Sequence, residues 1–124
     1  MSHHKSELVW FEIPASNLER AKAFYSELMG WGFKAFGAPG EEATYYMIEN
    51  EGASVSGGMY FCEKIQAGAV KLYFKTPNIE KSLERAKSLK AKVVQQKTMI
   101  APDIGYFAEF LDSEGNSINF WSQD

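Results

Sequence analysis

Val9, Phe11 and Ile13 alternate with Trp10, Glu12 and Pro14, the period-two signature of a strand with two different faces. The alternation ends at Ser16 and Asn17, either of which suits a helix cap, and Glu19 stands three residues after Ser16 as in a capping box. Leu18, Ala21, Phe24, Tyr25 and Leu28 then recur at helical spacing, and Gly30 follows where a left-handed residue is wanted. The same plan returns further on. Leu72 and Phe74 alternate with Lys71, Tyr73 and Lys75, Asn78 is the next cap, and Ile79, Leu83, Ala86 and Leu89 form a second helical stripe. Lys90 stands where a glycine would end that helix more comfortably. Residues 10–20 align without gaps on residues 71–81, so the chain contains an internal repeat.

Three further strands are expected after each helix. In the first copy they cover about residues 32–36, 44–48 and 54–61, with the turn Asn50-Glu51-Gly52 between the last two. In the second they cover about 92–96, 106–111 and 117–121, with Asp112-Ser113-Glu114-Gly115-Asn116 as the turn. The expected fold is α+β: two tandem βαβββ modules, about 7–62 and 69–123, forming one domain over residues 1–124. In this plan a curved mixed sheet carries its helices on the convex side and leaves the other side as a cleft. Two loops, residues 37–42 and 100–105, hold corresponding places before the third strand of each module. Connection is their default role, with gating of the cleft as the alternative.

The length of 124 residues, 45% of them apolar, permits one core and not two ordinary domains. The net charge of −3 is spread without a basic stripe, which argues against nucleic acid as a partner. No apolar run is long enough to cross a bilayer, and Met1-Ser2-His3-His4-Lys5 has no apolar leader, so a cytoplasmic protein that does not engage membranes is expected. Cys62 is the lone cysteine and is read as a small core or strand-end residue. His3 and His4 are the only histidines. Their position at the terminus removes the commonest general base and transition-metal ligand from the rest of the chain.

The segment I-P-A-S-N-L-E-R-A-K-A-F-Y-S-E-L-M-G-W at 13–31, the segment F-L-D-S-E-G-N-S-I-N-F-W at 110–121 and the repeat spacing together resemble the vicinal-oxygen-chelate superfamily of glyoxalases, bleomycin-resistance proteins and dioxygenases. The likeness runs over nearly the whole chain. In metal-dependent members the cleft holds a divalent ion through His, Gln or Glu on the first, fourth, fifth and eighth strands. The resemblance puts those positions at Trp10, Ser56 or Gly58, Lys71 and Asn119. Trp cannot coordinate, an ammonium repels a cation, Gly offers nothing, and Ser or Asn alone binds weakly. A shift of one residue brings in only apolar side chains. The chain therefore resembles a metal-free branch of the superfamily, and neither a metal nor another cofactor is expected.

Strand parity assigns Trp10, Glu12, Ser56, Gly58, Tyr60, Lys71, Tyr73, Asn119 and Trp121 to the cleft face. Trp10, Tyr60, Lys71, Tyr73, Asn119 and Trp121 are the expected ligand-binding residues, for a small aromatic or anionic molecule. The opposing reading has Trp10 and Trp121 simply filling the old metal cavity. Lys71 must meet a carboxylate, for which Glu12 is the nearest by strand position, meet an anionic ligand, or titrate to neutral. Three functions stay open: a metal-free binding protein; a glyoxalase-like lyase or isomerase, metal-independent with Glu12 as base or metal-dependent through other ligands; and a non-catalytic interaction domain. Superfamily members commonly form homodimers, side by side or with modules exchanged, and the resemblance implies a homodimer here.

Overall fold

Both copies of the repeat fold to one plan in the computed structural model, which describes residues 5–66 and 68–124. His3 and His4 lie outside the described residues. The first copy runs β1 (Leu8–Ala15), α1 (Leu18–Met29), β2 (Gly32–Ala35), β3 (Tyr45–Glu49) and β4 (Ser56–Phe61). The second runs β5 (Lys71–Lys75), α2 (Ile79–Ser88), β6 (Lys92–Ala101), β7 (Gly105–Leu111) and β8 (Ser117–Ser122). The strands of the first lie in the order β2-β3-β4-β1 and those of the second in the order β5-β8-β7-β6. In each copy the first strand is parallel to the last, and the last three form an antiparallel meander. The α+β fold and the duplicated βαβββ architecture are thus those expected. Contacts divide the chain into two compact units, Trp10–Val70 and Lys71–Asp124, the latter joined by the residues up to Val9.

Asparagine starts both helices. Asn17 Oδ1 accepts the Arg20 amide and Asn78 Oδ1 the Lys81 amide, each at 2.9 Å, satisfying donors that a helix leaves open, at about 1 kcal/mol apiece. Ser16 is not the cap, and Glu19 pairs with Lys22 at 3.0 Å instead of closing a capping box. Gly30 ends α1 at φ 71°, and Lys90 adopts the same φ of 71° beyond α2. The left-handed turn expected there is present although the residue is not glycine. Cys62, half-buried just past β4, donates its thiol to the Lys64 carbonyl.

The second unit has the denser core. Ile79 and Leu83 of α2 pack with Ala108 against Val93, Tyr106, Phe110 and Phe120. Along β8 this leaves Ser117, Asn119 and Trp121 on the opposite face. In the first unit Ala15, Ile48 and Met59 are buried. Here the helix departs from expectation: no residue of α1 is buried, and Phe24 and Leu28, expected to face the core, are 57% and 63% exposed. α1 is held instead by Tyr25 stacked on Trp31 at 5.2 Å and by the Lys22 ammonium over the Tyr46 ring at 3.9 Å. β6 also runs past its expected end at 96, through register shifts that break its alternation. The loop expected at 100–105 shrinks accordingly. Ala101 pairs with Gly105, and the Ile104 amide donates to the Ala101 carbonyl at 3.1 Å, so this segment is a tight hairpin turn. Among the described residues no helix is long and apolar enough to cross a membrane.

Candidate functional site

In the first unit the parallel pairing of β1 with β4 sets Trp10 beside Ser56, Glu12 beside Gly58 and Pro14 beside Tyr60. Neighbours in register share a face, so Trp10, Glu12, Gly58 and Tyr60 stand together as their parity implied. β3 adds Tyr45, which strand parity within β1 and β4 does not reveal. Tyr45 lies opposite Tyr60 in the antiparallel β3–β4 pair, and its ring reaches diagonally over Gly58. There its hydroxyl accepts the indole N–H of Trp10 at 2.9 Å and donates to Glu12 Oε2 at 2.7 Å. The result is a directed chain from indole to phenol to carboxylate.

Burial first, then the Glu12 charge and the hydrogen bond to it, push the Tyr45 phenol far above its ordinary value, with the Trp10 N–H partly opposing them. Tyr45 therefore remains an O–H donor at any physiological pH. Two glycines make room for this arrangement. A side chain at 58 would overlap the Tyr45 hydroxyl, and one at 57, on the other face, would stand 2.5 Å from the Phe11 carbonyl and 2.8 Å from its ring. Tyr60 projects from the same face as Tyr45, and its hydroxyl donates to the Ala69 carbonyl at 2.7 Å.

In the second unit Tyr73 pairs with Asn119, and Asn119 in turn with Glu109. Trp121 pairs with Lys75 on β5 and with Phe107 on β7. Lys71, two residues before Tyr73, shares that face. Asn119 is only 1% exposed, and its amide donates to the Leu72 carbonyl at 3.5 Å. The Trp121 indole donates to the Ile104 carbonyl at 3.0 Å. Glu109, a second carboxylate that only the β7–β8 register brings to this face, accepts from the Ser117 hydroxyl. Glu12, Tyr60, Lys71 and Tyr73 all engage partners within the chain.

These donors do not fit a divalent cation. In the first unit Trp10 presents an N–H, and the space beside Gly58 is filled by the Tyr45 ring. In the second, Lys71 presents an ammonium, and the Asn119 amide is buried on a backbone carbonyl. Among the described residues no three His, Cys, Asp or Glu side chains converge as a metal site. A borderline or hard cation needs several such ligands together.

The family model for the bleomycin resistance protein-like N-terminal region matches residues 7–41, which span β1, α1 and β2. A glyoxylase-like domain-containing protein of Didymella fabae is 27% identical over 109 residues, covering 86% of this chain and 85% of its own. Among solved structures, a glyoxalase/bleomycin resistance protein/dioxygenase superfamily member from Vibrio splendidus 12B01 superposes with a TM-score of 0.64 at 16% identity, over 95% of this chain and 99% of its own. The Mn(II)-bound glyoxalase from Novosphingobium aromaticivorans superposes with a TM-score of 0.70 at 16% identity, over 96% of this chain and 40% of its own. With the duplicated βαβββ plan and the motifs that mark both modules, these likenesses give the chain the fold of the glyoxalase/bleomycin resistance/dioxygenase superfamily, the vicinal-oxygen-chelate proteins, and support its membership there.

Proposed function

We propose that this chain is a small-molecule-binding protein of the glyoxalase and bleomycin-resistance type that works without a resident metal and takes a small aromatic or anionic ligand. The observation that carries this reading is the Trp10–Tyr45–Glu12 chain laid over Gly58. Aromatic rings stand where coordinating side chains would be needed, and Trp10, Tyr45 and Tyr60 are each half-buried. Both Trp10 and Trp121 have their indole N–H groups committed to acceptors within the chain. Their polar tips are thus unavailable and their rings are held in fixed orientations, which leaves ring faces and edges to contact a ligand. Such preorganised aromatic surface favours flat, partly apolar molecules and lowers the ordering cost of binding. Lys71, in the second unit, is the cation for which an anionic group would compete with its present partners.

Catalysis by Glu12 is the second reading, favoured by its place at the end of a hydrogen-bonded chain. Tyr45 donates to Oε2 and Glu12 engages a further partner within the chain, so a base role requires a ligand to displace one of them.

A thermal-shift series on chelator-treated protein tests the proposal, using benzoate and other small aromatic acids beside divalent ions. Aromatic acids should raise the melting temperature, since a ligand at a hundred times its dissociation constant adds about 2.7 kcal/mol. Lys71→Met should remove the part of the shift that depends on the carboxylate. Tight stoichiometric uptake of a divalent ion would refute the metal-free reading. Turnover of a bound ligand that is abolished in Glu12→Gln would replace binding with catalysis.

A further inference from the structure

We infer that the depression between the end of α1 and the β3–β4 turn is a binding site for a small organic cation, an ammonium or guanidinium group on an apolar body. It shares no residue with the Trp10–Tyr45–Glu12 face, so its occupancy is independent of the ligand proposed there. Met29 and Trp31 line it from the end of α1, and Glu49, Asn50 and Glu51 line it from the end of β3 and the turn that follows. Its volume of about 580 Å³ falls within the range of about 300–1,000 Å³ that small-molecule pockets occupy.

The lining is held in place from both sides. Trp31 stacks on Tyr25 at 5.2 Å and tilts against Phe11 at 6.1 Å, and its carbonyl accepts the Ser26 hydroxyl at 2.8 Å. The Asn50 carbonyl accepts the Ala53 amide at 3.1 Å, which closes the turn. Glu49 lies opposite Gly32 in the β2–β3 pair, and a side chain at 32 would begin 3.3 Å from Glu49 Oε1. Gly32 is not among the residues with positive φ. Its contribution is room, which lets the Glu49 carboxylate fold back across β2.

The charges select the ligand. Both charged side chains on the lining, Glu49 and Glu51, are carboxylates, and neither forms a salt bridge among the described residues. The negative end of α1 adds to them, because its last turn holds Glu27 and no basic residue. An anion is repelled here. A bare divalent ion finds too few ligands, since among the described residues no three His, Cys, Asp or Glu side chains converge. An organic cation satisfies the carboxylates with its charged group and covers Met29 and the Trp31 ring with its apolar part.

Amide chemical shifts of the full chain, titrated with phenethylammonium chloride, test this. The cation should shift residues 29–31 and 49–53, and its neutral counterpart 2-phenylethanol should leave them unmoved. Glu49→Gln and Glu51→Gln should each weaken binding about threefold, as exposed charge pairs do, and together about tenfold. Ala53→Phe, which fills the depression without changing its charge, should block binding. Positions 49, 51 and 53 are exposed, so these variants should fold as the native chain does. An equal response to the alcohol, shifts confined to other residues, or unchanged affinity in the double glutamine variant would each overturn the inference.

Discussion

Replacing Gly58 by alanine should destabilise the protein through Tyr45, whose side chain supplies the three atoms nearest to the added methyl. Gly58 is not among the residues with positive φ, so the backbone itself accepts an alanine. The added methyl, however, would occupy the position of the Tyr45 hydroxyl, and the ring must move. Movement breaks the bond to the Glu12 carboxylate, of a class worth about 1.5–3 kcal/mol, and that from the Trp10 indole, worth about 0.5–1.5 kcal/mol. It also disturbs the edge contact of Tyr45 with Phe36, whose ring centroids are 5.9 Å apart. The groups are only partly buried, which keeps the expected total near the middle of that range, at about 3 kcal/mol. In a Tyr45→Ala background the ring and both bonds are already gone, so the same methyl enters vacated space and should cost less than about 0.5 kcal/mol. Urea denaturation of the native chain, the two single variants and the double variant completes a cycle with an expected coupling of about 2–3 kcal/mol. Equal costs for Gly58→Ala in both backgrounds would show that Tyr45 does not pack there.

Two further outcomes follow from the backbone at Lys90 and the phenol of Tyr45. Lys90→Gly should raise the urea midpoint and add up to about 1 kcal/mol, because the left-handed φ strains a side chain and the relief exceeds the entropy glycine costs; an unchanged or lower midpoint would argue against a left-handed residue there. The raised Tyr45 phenol sets an alkaline dependence. Below its ordinary value of 10.0 folded and unfolded chains both hold the proton, whereas above it the unfolded chain releases a proton that the folded chain keeps, so stability falls with rising pH. Tyr45→Phe, compared with the native chain by pH-dependent denaturation, should lack this loss, and parallel profiles above that pH would refute the assignment.

The architecture was legible because two periods are written twice along the chain. The alternation through Val9–Ile13 and Leu72–Phe74 and the asparagines at 17 and 78 need only local chemistry to read, and β1, β5 and both helix starts lie where that chemistry puts them. The face shared by Trp10, Glu12 and Tyr60 was legible for the same reason. The misread positions share a different property: a non-local neighbour decides their role. Gly58 looks like a missing ligand when read along β4, and only its diagonal neighbour on β3 shows that the missing side chain is the space in which Tyr45 sits. Glu109 became part of its face only when the β7–β8 register placed it beside Asn119. Helical spacing in α1 correctly marked Phe24 and Leu28 as apolar positions, but periodicity records where an apolar face lies and not what covers it. In α2 Ile79 and Leu83 meet Ala108, Phe110 and Phe120 and are buried while Leu89 at the end of the stripe stays 64% exposed, whereas in α1 the support comes from Tyr25 and Lys22, and Phe24 and Leu28 remain in solvent. Two copies of one repeat thus reach opposite outcomes from similar spacing.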